Sequence, residues 1–475
     1  MNRRQFLKAM GAGAVATAAV SAGCSSPNET KAEGLSLGTV PEGQMTMREN
    51  LHGEKVSLLG YGCMRFPTLG GDSGREQDQE LDQEQINRLV DYAIEHGVNL
   101  FDTAPPYCKG RSQRATGIAL SRHKREEYFV STKLSNFSPT TWSREESMKL
   151  YHNSMKELQV DYLDYYMLHG IGGSARDTEG NELDAMECLK RRFFDNGMLD
   201  FLVEERAKGH IHNLGFSYHG DIRAFDYLLS LHDKYHWDHV LIQHNYVDWN
   251  HAKLINDRNT NSSYLYSELE KRNIPVFVME PLLGGQLASL NDHATELLKQ
   301  RDPQSSLASW AFRFAGQQPR ILTVLSGMTY MEHLQDNIRT FSPHKPLNDD
   351  ELRMLEEIAD IFANFKTIPC TSCKYCMPCP YGIDIPTIFT HYNKCLNEGH
   401  IMTGNNLNDS EEKKAFRKAR RAFLVDYDRA VPSVRQADHC IGCGICKLAC
   451  PQGIDIPAQM QRIDQYVKGL GLLNS

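Results

Sequence analysis

Gln85-Ile86-Asn87-Arg88-Leu89-Val90-Asp91-Tyr92-Ala93-Ile94, followed closely by Asn99-Leu100-Phe101-Asp102-Thr103, contains the two periods that run through most of this chain. In the first run apolar residues recur at helical spacing. In the second, a short apolar stretch closes on an Asp, as a buried strand does. Working outward, the same alternation yields eight strand candidates: Val56–Tyr61, Asn99–Thr103, Tyr128–Lys133, Tyr165–His169, Ile211–Ser217, Val240–Asn245, Pro275–Glu280 and Ile321–Ser326. Amphipathic helical patterns lie between them, which predicts parallel strands joined by crossover helices. Eight such units fit a closed (β/α)8 TIM barrel, an α/β fold, assigned to residues 51–345. An open doubly wound sheet would want a Gly-x-Gly-x-x-Gly turn after its first strand, and none occurs there.

The barrel leaves room at both ends of a chain of 475 residues. At the start, Arg3-Arg4-Gln5-Phe6-Leu7-Lys8 precedes an apolar small-residue stretch ending at Cys24, which resembles a twin-arginine export signal with a lipoprotein-type cysteine. The expectation is an exported protein, periplasmic or tethered by a lipid at Cys24. Residues 25–50 are polar and aperiodic and read as a flexible tether. No other stretch is apolar over the eighteen or so residues that a membrane helix needs. A net charge of -8 with interspersed cations and anions supplies no footprint for nucleic acid.

Eight of the thirteen cysteines fall into two tight runs in the C-terminal part, residues 370–475. Cys440-x-x-Cys443-x-x-Cys446-x-x-x-Cys450-Pro451 has the spacing of a bacterial 4Fe-4S site. Cys370-x-x-Cys373-x-x-Cys376-x-x-Cys379-Pro380 is one residue shorter before its last cysteine. Zinc is the alternative, but it is usually served by separated Cys-x-x-Cys pairs. Both runs are followed by the same phrase, at Gly382-Ile383-Asp384-Ile385-Pro386 and Gly453-Ile454-Asp455-Ile456-Pro457, an internal repeat that implies two cluster lobes. By resemblance to two-cluster ferredoxins, Cys379 would serve the Cys440 set and Cys450 the Cys370 set. Cys395 reads as a buried thiol. Within the linking segment 346–369, Asn348–Phe365 reads as a helix packed on the barrel.

Chemistry in such a barrel sits at the C-terminal ends of the strands. Asp102, Lys133 and His169 each stand at the end of a different apolar run, with Tyr107 in the loop after Asp102. Here the chain resembles the aldo-keto reductase family, in Phe101-Asp102-Thr103-Ala104-Pro105-Pro106-Tyr107, Ser131-Thr132-Lys133 and Asp164-Tyr165-Tyr166-Met167-Leu168-His169. The resemblance implies hydride transfer between a nicotinamide and a small carbonyl or alcohol, with Asp102, Tyr107, Lys133 and His169 as catalytic tetrad. In that scheme Tyr107 is the acid or base, Lys133 lowers its pKa, Asp102 holds Lys133 charged, and His169 polarises the carbonyl. It also implies Ser217 and Gln243 as carboxamide contacts and Gly327, Asp336 and Asn337 as nucleotide contacts. Tyr218 and Met279 depart from the family pattern. The segment Gly327-Met328 to His333 lacks the Arg or Lys that a 2'-phosphate wants, which lowers the expectation of NADP over NAD. Two functions follow: a reductase linked to iron-sulfur electron transfer, with a redox partner protein, or an electron-transfer or binding subunit whose barrel no longer uses nicotinamide.

Overall fold

A computed structural model describes residues 40–69, 80–364, 367–402 and 409–472. Arg3, Arg4 and Cys24 lie outside them. Eight parallel strands close into a barrel: β1 (Leu59–Gly62), β2 (Leu100–Asp102), β3 (Phe129–Leu134), β4 (Leu163–Ile171), β5 (Ile211–Tyr218), β6 (His239–Gln243), β7 (Val276–Met279) and β8 (Ile321–Ser326). Each strand pairs with its neighbours in chain order, and β8 returns to β1 through Val324↔Leu59 and Ser326↔Tyr61. The (β/α)8 expectation holds, because every strand is buried on both faces and reads as an apolar run. Inside the barrel Leu100, Tyr165, Met167, Leu241, Phe277 and Leu322 pack together. A larger apolar layer, including Ile86, Leu89 and Val90 from the helix Gln83–Glu95, fills the space between strands and helices.

The first strand differs from its sequence reading. Val56 belongs to a short strand, Lys55–Ser57, that pairs antiparallel with Met47–Glu49, and the barrel strand starts only at Leu59. The turn between the hairpin strands is held by Asn50, whose side-chain oxygen accepts from the His52 and Glu54 N–H groups, with Gly53 at φ 77. Val56 is fully buried among the interior residues, so the hairpin caps the N-terminal end of the barrel. Ordered structure therefore begins inside the stretch read as a tether: three strand residues are too few to show a period.

After the barrel, the helix Asp349–Asn364 buries Leu355, Ile358, Ala359 and Phe362 against Leu283, Leu298, Trp310 and Ala311. The cysteine module is helical, with Ile385–Asn397, Ser410–Ala430 and Ile456–Leu472 around a core of Ile383, Ile385, Phe389, Phe423, Tyr427, Ile454, Ile456 and Met460. The repeated phrase has a structural reason. Gly382 and Gly453 take φ 77 and 63, the isoleucines enter the core, and Asp384 and Asp455 accept from the N–H groups of Thr387 and Ala458 at the helix starts. Pro386 stands where its missing N–H costs nothing. Cys395 is 1% exposed within that core, near His391.

Candidate active site

The C-terminal ends of β2, β3 and β4 bring Asp102, Lys133 and His169 together. The registers Asp102↔Ser131 and Lys133↔Met167 set neighbouring strand ends at one level. Lys133 Nζ donates to Asp102 Oδ2 at 2.6 Å and to the Thr103 carbonyl at 2.8 Å, while Ser131 Oγ donates to Asp102 Oδ1 at 2.7 Å. Both charges are buried, so the pair depends on these bonds. Tyr107 opens the turn after β2, with its ring centroid 4.9 Å from Lys133 Nζ and 6.1 Å, edge-on, from the His169 ring. His169 Nδ1 lies 2.5 Å from Ser135 Oγ. Burial, with Lys133 and Arg192 nearby, holds the imidazole well below its usual pKa, so it is neutral.

Lys133 does not draw the Tyr107 phenol down as the sequence reading expected. Burial pushes Tyr107 well above the ordinary phenol value, and Tyr375, Asp102 and Glu280 add to it. The physical reason is burial first, which disfavours the phenolate, with the neighbouring Tyr375 and Asp102 adding to it. Tyr107 is thus held as a neutral acid, able to protonate an oxygen on which negative charge develops.

Tyr375 was not singled out in the sequence. It stands between Cys373 and Cys376, and its phenol enters the barrel mouth as the hydrogen-bond partner of Tyr107, with its oxygen 3.5 Å from His169 Nε2. The cysteine loop is seated there by further links. Arg65 donates to the Thr371 carbonyl at 2.6 Å and Gln286 to the Cys370 carbonyl at 3.2 Å. On the other side Asn256 donates to the Gln452 carbonyl, and Gln452 Nε2 to Gln243 Oε1 at 3.3 Å. Glu280 follows β7 at φ 53, a conformation costly for a residue with a Cβ, and burial raises its pKa. A tyrosine between two cysteines carries no sequence signal of where its ring points.

The residues expected to hold a nucleotide are engaged elsewhere. Gln243 donates to Asp248 at 2.7 Å and accepts from Gln452, so both ends of its amide are used. Ser217 Oγ accepts from Gly170 N–H at 2.8 Å. A Cβ on Gly327 would meet the Arg65 side chain at 3.0 Å. Asp336 accepts from Ser306 at 2.6 Å, and Asn337 donates to Ser326 Oγ at 2.9 Å. Tyr218 is buried and donates to the Gly220 carbonyl. The side chains expected to meet a nicotinamide carboxamide are thus tied to other residues of the chain.

An iron-sulfur group fits the cysteines better. Cys370, Cys373, Cys376 and Cys450 line one small cavity. Burial pushes the Cys370 and Cys373 thiols up to about 11 and about 12, and each of the first three is raised further by Cys450. Cys446 is pushed up to about 11 by burial and by Cys440, Cys443 and Cys379. Thiols packed so that each opposes ionisation of the next form a donor set that cationic iron would stabilise. The grouping sets Cys450 with the first run and Cys379 with the second. Ser372 N–H also points at Cys370 Sγ, at 3.4 Å. Among the described residues no three such side chains close on one point as ligands of a single ion do.

Comparison with known proteins agrees with this division. Residues 58–360 match the model of the aldo/keto reductase family, and residues 369–455 that of a 4Fe-4S dicluster domain. The uncharacterized oxidoreductase YqkF of Bacillus subtilis is 24% identical over 332 residues, covering 63% of this chain and 92% of the relative. Protein tas of Escherichia coli is 25% identical over 356 residues, covering 65% and 95%. Among solved structures, aldo-keto reductase AKR11C1 from Bacillus halodurans aligns at 20% identity with a TM-score of 0.49, over 66% of this chain and 96% of its own. An aldo-keto reductase from Klebsiella pneumoniae, solved in complex with NADPH, aligns at 18% identity and a TM-score of 0.49, over 66% and 95%. The chain therefore belongs to the aldo/keto reductase family of oxidoreductases and carries a 4Fe-4S domain after its barrel.

Proposed function

We propose that this protein interconverts a small carbonyl compound and its alcohol at Tyr107, and that the electrons pass through the cysteine module seated on the same site. The carrying observation is Tyr375, which joins the loop bearing Cys373 and Cys376 to Tyr107 and His169. Reduction of a carbonyl to an alcohol takes two electrons and two protons, one proton going to oxygen and one to carbon, the latter drawn from water entering the cleft that opens at Tyr107 and His169. Tyr107 supplies the proton to oxygen, buried Lys133 keeps positive charge beside that oxygen, and Asp102 holds Lys133 in place. With Ser135 donating to Nδ1, neutral His169 presents Nε2–H to the carbonyl. An iron-sulfur cluster on each cysteine set would supply one electron at a time. The Tyr375 hydroxyl stands where the substrate oxygen would bond to both groups, so substrate takes the place of that hydroxyl. Tyr107→Phe is expected to lower carbonyl turnover by about 10²-fold or more; full turnover in that variant rules out Tyr107 as the acid.

A second reading, an electron-transfer or binding subunit without nicotinamide turnover, is favoured by the bonds that Gln243 makes to Asp248 and Gln452 within the chain. Titration with NADH and NADPH, followed by protein fluorescence and the visible cluster bands, separates the two. Nucleotide binding that bleaches those bands supports a nicotinamide-linked reductase. No binding by either nucleotide, with Tyr107-dependent turnover on a chemical reductant, supports cluster-driven chemistry; no turnover on either leaves the subunit reading. We also propose export through Arg3 and Arg4 with lipid attachment at Cys24, checked by finding the protein in an osmotic-shock or membrane fraction, and a redox partner protein outside the cytoplasm.

A further inference from the structure

A cleft of about 2310 Å³ leads from Tyr107 and His169 outward between the barrel loops and the cysteine module. Its charge runs against that of the chain, which is -8 overall. Four carboxylates on its wall are engaged. Glu182 pairs with Arg176 at 2.9 Å, Asp221 and Asp184 pair with Arg223 at 2.6 and 3.3 Å, and Glu187 accepts from the Asp184 N–H at 3.2 Å. A fifth, Asp257, is exposed at the rim.

Arg192 is different. It is 5% exposed, it lines the cleft, and its guanidinium meets only neutral acceptors: Asn136 Oδ1 at 3.2 Å, the His169 carbonyl at 2.6 Å and the Gly170 carbonyl at 3.4 Å. Among the described residues no carboxylate pairs with it, nor with Arg111, Lys253 or Arg258 on the same wall. Burial draws the Arg192 guanidinium down to about 10, which still leaves it charged at neutral pH. A buried charge without a counter-ion is costly unless a ligand supplies the opposite sign. Phe137, 37% exposed, bridges this cation and the tetrad: its ring lies 5.3 Å from the Arg192 guanidinium and 4.7 Å from the His169 ring.

We propose that the substrate carries a carboxylate, bound by Arg192 across the Phe137 ring from the carbonyl held at Tyr107 and His169. The planar guanidinium matches a carboxylate through paired N–H donors. Arg111, Lys253 and Arg258 attract the anion into the cleft, where low-dielectric walls focus their field. This rests on the reading that Tyr107 and His169 hold the carbonyl.

The test uses the full chain and two probes of one length, 2-oxobutyrate and uncharged 2-butanone, with binding followed by saturation-transfer NMR. The wild type is expected to bind 2-oxobutyrate about tenfold or more tighter than 2-butanone, with a preference that shrinks as salt rises. Arg192→Gln should abolish the preference and leave 2-butanone binding within about twofold, and Arg192→Lys should restore part of it. Equal affinity for the two probes, no binding of 2-oxobutyrate, or an unchanged preference in Arg192→Gln overturns the proposal. If Arg192→Gln fails to fold, Lys253→Gln with Arg258→Gln takes its place, with a weakened salt dependence expected and an unchanged one refuting the role of the cleft charge. Failure of the underlying reading looks different: 2-butanone would then bind with an affinity unchanged by Tyr107→Phe or His169→Gln, whatever the anion preference.

Discussion

Buried Lys133 and Asp102 are the residues on which the site depends. Lys133→Met strands a carboxylate that is 4% exposed, and the expected loss of stability is about 3–5 kcal/mol, measured by urea denaturation. The double variant Lys133→Met, Asp102→Leu should recover part of that loss, since it removes both charges. Tyr375 acts on Tyr107 directly. It is the second cause, after burial, of the raised phenol pKa, so Tyr375→Phe should move the tyrosinate titration of Tyr107 to lower pH. An unmoved titration would show that burial alone holds the proton. Asp102, Tyr107, Lys133 and His169 could be read from sequence because each lies at or just beyond the end of a strand, where the barrel's topology dictates direction. Glu280 and Arg192 could not, because a backbone at positive φ and a missing counter-ion are facts of geometry.

At the scale of elements, the contact that matters is the cysteine loop against the turn after β7. Gly284 takes φ 69, and a Cβ there would meet Thr371 Cα at 2.3 Å. Both partners are backbone, so nothing flexible can yield. Gly284→Val is expected to lift residues 370–376 from the barrel while leaving the barrel folded, read as faster hydrogen exchange in that loop and an unchanged far-UV spectrum. The helix starts of the two repeats make a second, smaller prediction. Asp384→Ala removes a side-chain cap and should cost about 1 kcal/mol, seen as earlier melting of the module. The repeat was plain in the sequence; that its Asp caps a helix and its two Ile enter one core follows from the packing.

The whole molecule is expected to lose stability on acidification because imidazoles are buried neutral. His239 and His244 are fully buried, and desolvation lowers each from 6.5 to about 3. The unfolded chain binds their protons below about pH 6.5 and the folded chain does not, so stability falls as pH drops from there toward 3. Each contributes a slope of about 1.4 kcal/mol per pH unit. Thermal melting between neutral pH and pH 5 should show this, and His244→Gln should flatten the slope. Removing iron with a chelator should melt the helices after residue 367 and spare the barrel, because six of the eight cysteines pack against the module's own core. By itself the sequence determined the barrel and the cysteine runs, since these follow from periods and spacings that local physics imposes on a chain, and it marked Asp102, Lys133 and His169 as polar residues at the ends of apolar runs. Only the tertiary structure decided that the cysteine loop closes the barrel mouth, that Tyr375 meets Tyr107, and that the amide of Gln243 is already bonded. Those contacts join residues far apart in the chain, and their geometry is set by how two apolar cores pack, which no local pattern encodes.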